Sequence, residues 1–216
     1  MAELGHIIET GGTFMIINIF FLMVAIAVII DRVIAVFFQL NLNGHRFMAQ
    51  VEKLVHSDNI DKAVKLCNAA PKAALARVLR AGLTRANRGV LEIGNAIEEE
   101  TLAVTPTVMK RVPALWSLAN ISVLVGLLGT VTGLIKAFKA IGFAAPEQKQ
   151  ALLTNGISEA MNNTAFGLFI AVTCITAHLV IGSQAKKIVE DIELHSLKLE
   201  NMLSRRAGTE VPEGSR

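Results

Sequence analysis

The chain has 216 residues, of which 52% are apolar and only 18% are charged, and its mean hydropathy is +0.50. This composition is too apolar for an ordinary water-soluble domain of that length, so an integral membrane protein is predicted. The formal net charge of +3 gives no indication of a nucleic acid partner, and none is predicted.

The first apolar run, FMIINIFFLMVAIAVII, is followed directly by Asp31 and Arg32. Its length fits one crossing of a bilayer, so we predict a transmembrane helix with its cytoplasmic extension at 14–38, after a short periplasmic segment at 1–13. Residues 1–30 contain no Lys or Arg, which a secretory signal peptide requires, so this span is expected to be retained. Asp31 with Arg32 is interpreted as an ion pair at the membrane interface.

Residues 39–111 are predicted to form a helical domain, because apolar side chains recur there every three or four residues. Of the 21 Lys and Arg residues, twelve lie from Arg32 to Arg111, six lie after Ile181, and only three lie between these two regions. The positive-inside rule therefore predicts a periplasmic amino terminus, and it places this domain and the carboxyl terminus in the cytoplasm.

Two further spans are predicted at 112–137 and 151–182, joined by a periplasmic loop at 138–150. After them, residues 183–206 carry apolar side chains along one stripe, which predicts a cytoplasmic amphipathic helix. Residues 207–216 are expected to form a flexible tail. Together these elements predict an all-α integral membrane protein with three transmembrane helices, a helical insert between the first two, and a carboxyl-terminal helix.

Small residues form one stripe on each of the last two spans. At about 100° per residue, the stripes are Gly126, Thr130, Gly133 and Ala137 on the second span, and Ala160, Thr164, Gly167 and Ala171 on the third. Each stripe carries one hydroxyl. The pattern favours close packing of membrane helices, and it also suits the wall of a pore.

Polar residues occupy the start of the third span, in the stretch SEAMNNTAFG. Glu159, Asn162 and Asn163 are predicted to share a side of the helix different from that of Thr164. A carboxylate at membrane depth costs about 3 kcal/mol or more, so there it would mark an ion pathway. At the outer interface Glu159 would instead be hydrated, and these residues leave both interpretations open.

The sequence lacks the usual motifs of catalysis and metal binding. Cys67 and Cys174 lie in different predicted compartments, and the five histidines lack the spacing of a metal site. No P-loop, GxGxxG or GxSxG motif is present, and no nucleophile and base stand at a sensible spacing for an intramembrane enzyme. We therefore predict no enzymatic activity, no metal site and no cofactor.

Two segments together resemble a known family. The stretch GLLGTVTGLIKAF (126–138) is followed by ISEAMNNTAFGLFIAV (157–172), and the pair is similar to the signature of the MotA/TolQ/ExbB proton-channel family. Asp31 and Arg32 at the end of the first span also fit that pattern. Three spans resemble the ExbB and TolQ branch, since the MotA branch has four.

The resemblance implies a homo-oligomeric ring, typically of five subunits, in the lipid of the bacterial inner membrane. The ring surrounds a dimer of single-span partners of the ExbD/TolR type and uses protons as the coupling ion for mechanical work on the cell envelope. By that likeness, Thr130 and Thr164 line the pore and face the partner's titratable aspartate, and Glu159 assists proton access or stabilises the ring. Asn162 and Asn163 depart from the family pattern, which often has aliphatic residues or alanine there.

The expected function is that of a proton-channel or stator subunit, of the ExbB type that energises TonB-dependent outer-membrane transport with a TonB-like protein as a further partner. TolQ-type envelope maintenance and a gliding-motility motor are alternatives with the same architecture. A passive membrane scaffold, whose spans only pack and whose helices recruit proteins, is the alternative from another class.

Overall fold

The computed structural model describes residues 12–209. Seven α-helices and one π-helical segment, Ile34–Gln39, make up nearly all of this part of the chain. The α-helices are α1 (Gly12–Val33), α2 (Gly44–His56), α3 (Ile60–Asn68), α4 (Ala74–Thr84), α5 (Val90–Met109), α6 (Val112–Phe143) and α7 (Pro146–Thr209). No strand occurs between residues 12 and 209. The predicted all-α fold is confirmed.

Three helical stretches are long and apolar enough to cross a bilayer, and they lie within Gly12–His56, Val90–Phe143 and Pro146–Arg206. Their most apolar windows have mean hydropathies of 2.8, 2.0 and 2.1. Large apolar side chains on these helices are exposed in the single chain, for example Phe20 and Phe169. By length and composition, the three predicted spans are confirmed.

The loop predicted at 138–150 is almost entirely helical. α6 continues to Phe143 and α7 begins at Pro146, so only Ala144 and Ala145 lie outside a helix. Ala144 has an extended backbone with ψ of 149°. Proline disfavours the helical conformation in the residue before it and is well suited to the first turn of a helix, which explains the sharp turn at this point.

The boundary predicted between 151–182 and 183–206 is absent, because α7 runs through it without interruption. The only helix-weakening residue near that boundary is Gly182, and one glycine in a helix costs about 1 kcal/mol. This cost is too small to end a helix whose flanking residues Ile181 and Ala185 are buried.

Both predicted terminal segments fall largely outside the described residues. Of the segment 1–13, only Gly12 and Thr13 are described, and they belong to α1. Of the tail predicted at 207–216, residues 207–209 belong to α7, and the remaining residues lie outside the described part.

The chain divides into two compact units. The described part of the first, here called the three-helix unit, comprises residues 12–32 and 111–180, which form α1, α6 and the first part of α7. The second, here called the insert unit, comprises residues 33–110 and 181–209. The insert predicted at 39–111 therefore forms its unit together with the end of α7.

Apolar side chains at helical spacing form the core of the insert unit. Its buried residues include Val51, Val55, Ala63, Leu79, Leu83, Ile93, Ile97, Ile192 and Leu199. A Cβ placed on Gly82 of α4 would lie 2.8 Å from Cδ1 of Ile97 on α5, so the glycine permits close packing of these helices. An ion pair of 2.6 Å between Arg77 and Glu100 joins the same helices at the surface.

His195 on α7 is buried inside the insert unit, with 1% of its surface exposed. Its ring lies 5.2 Å from that of His45, and a Cβ placed on Gly44 would lie 2.9 Å from its Nε2 atom. Neither ring nitrogen has a hydrogen-bond partner among residues 12–209. Burial lowers the pKa of His195, as do Lys198 and His45, whereas Asp191 raises it. The imidazole is therefore neutral in the folded protein at pH 7.

We expect the protein to lose stability as the pH falls below about 6.5, the ordinary pKa of histidine. In that range the unfolded chain binds a proton at His195 that the folded chain, with its lowered pKa, does not bind, so protonation favours unfolding. His195→Gln should reduce the decrease in Tm between about pH 7.5 and 5.5, measured by circular dichroism. The control is His56→Gln, because His56 is exposed. An undiminished pH dependence in His195→Gln would contradict this expectation.

Candidate functional site

Thr130 on α6 and Thr164 on α7 meet where these two helices touch, and their hydroxyl oxygens are hydrogen-bonded to each other. The Thr130 hydroxyl also lies 3.2 Å from the carbonyl oxygen of Gly126 and 3.3 Å from that of Ala160. The Thr164 hydroxyl lies 3.2 Å from the carbonyl oxygen of Gly126. Because each hydroxyl donates only one hydrogen bond, these contacts are alternatives. Rotation of the two hydroxyls can therefore redirect the hydrogen bonds.

The two small-residue stripes face each other and hold α6 and α7 at close range. A Cβ placed on Gly133 would lie 3.2 Å from the Cβ of Ala160. A Cβ placed on Gly167 would lie 2.6 Å from the carbonyl oxygen of Ser122, which is shorter than side chains tolerate. Ala137 likewise packs directly on Gly156. The stripes thus form a helix contact of the small-residue kind found in membrane proteins.

An apolar cluster joins all three helices of the unit. Its buried members are Ala25 of α1, Ala119 of α6, and Ile170, Ala171 and Cys174 of α7. Leu22 and Phe166 are among the partly buried side chains that pack against it. The predicted stripe residue Ala171 therefore contributes to this cluster rather than to the surroundings of the threonine hydroxyls.

Glu159 lies half-buried at the beginning of α1. A Cβ placed on Gly12 would lie 3.0 Å from Oε1 of Glu159, and Gly12 has a φ of 63°, which favours glycine. The amino end of a helix carries a positive partial charge that stabilises a nearby carboxylate. The structure therefore places the carboxylate of Glu159 beside the amino end of α1.

The prediction that Glu159, Asn162 and Asn163 share one side of α7 is wrong. Asn163 is 2% exposed and covers Gly129 of α6, where an added Cβ would lie 2.8 Å from the Cβ of Asn163. Asn162 is exposed. Successive residues of a helix are turned by about 100°, so Asn162 and Asn163 point to different sides of α7, and Glu159, three and four residues earlier, lies between them around the helix axis.

Asn18 on α1 is a buried polar residue that sequence reasoning missed. It is 0% exposed, and neither its Oδ1 nor its Nδ2 has a hydrogen-bond partner within the described part of the chain. The Oδ1 of Asn163 has none there either. Its position in the middle of the apolar run FMIINIFFLMV could have identified Asn18 as a residue of interest, because an unpaired amide is costly in an apolar environment.

At the other end of α1, Asp31 accepts hydrogen bonds from two arginines. Nε of Arg32 lies 3.0 Å and a terminal nitrogen of Arg111 lies 3.1 Å from the same carboxylate oxygen. Arg111 directly precedes α6 and has a positive φ of 59°. The predicted pair of Asp31 and Arg32 is thus part of a cluster of three charges that connects α1 with the start of α6.

Residues 70–194, more than half of the chain, match the MotA/TolQ/ExbB proton channel family. The chain is also 32% identical over 168 residues to the biopolymer transport protein ExbB-like 3 of Synechocystis sp., a match that covers 76% of this chain and 78% of that protein. The chain belongs to the MotA/TolQ/ExbB proton channel family. The matched region contains the threonine pair, Glu159 and Asn163.

Two further relatives place the chain in the ExbB/TolQ branch of the family. The Tol-Pal system protein TolQ of Haemophilus influenzae is 33% identical over 102 residues, which cover 47% of this chain and 44% of that protein. The biopolymer transport protein exbB1 of Vibrio cholerae is 37% identical over 82 residues, which cover 38% of this chain and 36% of that protein. The family and branch predicted from the two motifs are confirmed, and the chain is a multi-pass membrane protein of that branch.

Proposed function

We propose that the chain is the ring-forming, proton-conducting stator subunit of a motor in the bacterial inner membrane. The motor converts the proton-motive force into mechanical work on the cell envelope. The observation that carries this proposal is the hydroxyl pair of Thr130 and Thr164, set among glycines and alanines in a member of a proton-channel family. In this proposal the protein is not an enzyme, and it needs no cofactor or metal because protons are the coupling ion.

The threonine pair suits a carboxylate that gains and loses a proton. A hydroxyl both donates and accepts hydrogen bonds, so it stabilises the neutral and the ionised carboxylate without fixing either state. Residues 112–137 and 160–182 contain no Asp or Glu. The titrating group therefore comes from a partner, which we propose is a dimer of single-span proteins of the ExbD/TolR type.

The exposed apolar side chains of the three-helix unit offer surfaces for a ring. Leu124 and Leu127 of α6 are 59% and 53% exposed, and Phe169 and Val172 of α7 are 61% and 64% exposed. In a ring of five subunits these surfaces contact neighbouring subunits, the partner or lipid. We also propose that the amino terminus lies in the periplasm and that the insert unit and the carboxyl terminus lie in the cytoplasm, which the distribution of Lys and Arg supports.

For the process that the motor drives, we propose ExbB-type energising of TonB-dependent outer-membrane transport, with a TonB-like protein as a further partner. The similarity to an ExbB-like protein over most of the chain supports this choice. TolQ-type envelope maintenance is the second candidate, favoured by the similarity to a TolQ protein over 102 residues.

Proton uptake into liposomes under an imposed pH gradient tests the proposed function. We expect flux from the ring with its ExbD-like partner from the same genome, and no flux above that of empty liposomes from the ring alone. Equal flux without the partner would contradict the proposal that the partner supplies the titrating group. An absence of flux from assembled and correctly oriented complexes would favour the passive scaffold.

A further inference from the structure

The start of α2 and the end of α7 meet at His195 inside the insert unit. Its imidazole is 1% exposed, and neither ring nitrogen has a hydrogen-bond partner within the described part of the chain. A neutral imidazole can donate one hydrogen bond and accept another, and both bonds are available to it in water. Their loss on burial costs free energy, so the contact that buries His195 is weaker than an apolar contact of the same size.

The first residues of α2 make this contact. A Cβ placed on Gly44, the first residue of the helix, would lie 2.9 Å from Nε2 of His195 and 3.5 Å from Cγ of Asp191. Since a larger residue would displace the imidazole, the glycine allows α2 to begin this close to α7. The ring of His45 stands at 90° to that of His195, with 5.2 Å between the ring centroids. His195 therefore packs against the first turn of α2.

The surroundings of His195 disfavour a positive charge on its ring. The amino end of α2 carries a positive partial charge, which repels a cation beside it. Among residues 12–209, the titratable groups that act on the ring are His45 of α2 and Asp191 and Lys198 of α7. Burial lowers the pKa of His195, as do Lys198 and His45, and Asp191 raises it. A proton on His195 therefore weakens the contact between α2 and α7.

The first turn of α2 can separate from α7 while α4 and α5 stay packed. Close packing at Gly82 holds α4 to α5. Residues 40–43 before α2 are not helical, and Asn43 accepts hydrogen bonds from the amides of Arg46 and Phe47 at 3.2 and 3.0 Å. The end of a helix opens locally at a lower cost in free energy than the core of its unit does.

We infer that Gly44, His45 and His195 form a pH-sensitive latch, here called the α2 latch, which is closed when His195 is neutral and opens when His195 binds a proton. The inference rests on the proposed function, which places the insert unit in the cytoplasm. α7 is one uninterrupted helix that carries both Thr164 and His195. Opening of the latch releases the end of the helix that lines the proposed pathway. Protons that accumulate in the cytoplasm thereby reduce their own entry.

Hydrogen exchange in the complete complex, embedded in liposomes, tests the α2 latch. The exchange rates of the amides of Arg46 and Phe47 are measured at about pH 7.5 and about pH 5.5. Division by the intrinsic rate at each pH gives their protection factors. Below about pH 6.5, His195 of the open latch binds a proton that the closed latch excludes, so we expect protection to fall by up to about tenfold between the two pH values. Protection in α4 should stay higher than in the first turn of α2 at both.

Two variants and a control separate the latch from other effects of pH. His195→Gln removes the group that binds the proton, so the protection of Arg46 and Phe47 should no longer depend on pH in this range. Gly44→Ala places a Cβ against Nε2 of His195 and should lower their protection already at the higher pH. His56→Gln is the matched control, because His56 is exposed at the opposite end of α2, and it should behave like the wild type.

Proton uptake into liposomes tests the use of the latch in correctly oriented complexes. The pH gradient is held constant while the pH on the side of the insert unit is lowered over the same range. We expect the flux of the wild-type complex to fall relative to that of His195→Gln. The flux of His56→Gln should follow that of the wild type.

Three results of the exchange experiment would overturn the α2 latch. They are a pH dependence that persists in His195→Gln, wild-type protection in Gly44→Ala, and equal protection of α4 and the first turn of α2. A constant ratio between the fluxes of the wild type and His195→Gln would overturn its regulatory use. Absence of flux from the wild-type complex would instead count against the proposed function, and hydrogen exchange would still decide whether the latch exists.

Discussion

Replacing Gly167 by leucine should abolish the contact between α6 and α7. A Cβ at this position would lie 2.6 Å from the carbonyl oxygen of Ser122, and the neighbour is main chain that cannot rotate away. The helices would have to separate along the whole small-residue contact, at a cost of about 3 kcal/mol or more. We expect the ring to disappear on native gels and the Tm of any remaining folded protein to fall by more than about 5 °C.

Gly142→Leu is the control for this prediction. Gly142 lies in the same type of secondary structure, near the end of α6, but a Cβ there would meet nothing within 4 Å. The control variant should therefore assemble like the wild type. A ring that persists in Gly167→Leu with unchanged Tm would show that the close contact between the two stripes is not needed for folding.

Replacing Thr164 by valine should leave the ring intact and reduce proton flux about tenfold. Valine keeps the shape of the side chain and removes only the hydroxyl. The Thr130 hydroxyl is not left unpaired, because the carbonyl oxygens of Gly126 and Ala160 remain within 3.2 and 3.3 Å of it. The lost hydrogen bond is worth about 1 kcal/mol or slightly more, which corresponds to a factor of about ten in rate.

The control for Thr164→Val is Thr173→Val on the same helix. Among residues 12–209, the Thr173 hydroxyl bonds only the carbonyl oxygen of Phe169, one turn earlier, at 2.9 Å. Flux and assembly should therefore both be unaffected in this variant. Uptake into liposomes that contain the assembled complex gives the measurement. Normal flux in Thr164→Val would show that proton transfer does not require the threonine pair.

The spans and the threonine pair were predictable because both depend on patterns that are local in the chain. A run of about 20 apolar residues leaves few alternatives to a membrane helix. Small residues at helical spacing define one face of a helix without reference to its neighbours. Thr130 and Thr164 each lie on such a face, so the pairing of the two faces brought them together.

The short turn at Ala144 and Ala145, the unbroken α7 and the burial of Asn18 were not predictable in the same way. The polar residues of 138–150 favour a loop by composition, yet they are compatible with exposed helix, and only Pro146 fixes the turn. Whether an amide is buried depends on which helix faces it. The adjacent Asn162 and Asn163 are chemically identical, and only the packing of α6 on α7 makes one buried and the other exposed.

The sequence by itself determined that this protein has three helices long and apolar enough to cross a membrane and carries the two motifs of a proton-channel family, since apolar length and residue spacing are properties of the chain. The tertiary structure decided which of these residues contact each other. It showed that the small-residue stripes pack on each other and that Arg111, which directly precedes α6, joins the pair of Asp31 and Arg32. These contacts depend on which faces of the helices pack together and in which register. They join residues that are far apart in the chain, so they form only when the helices pack.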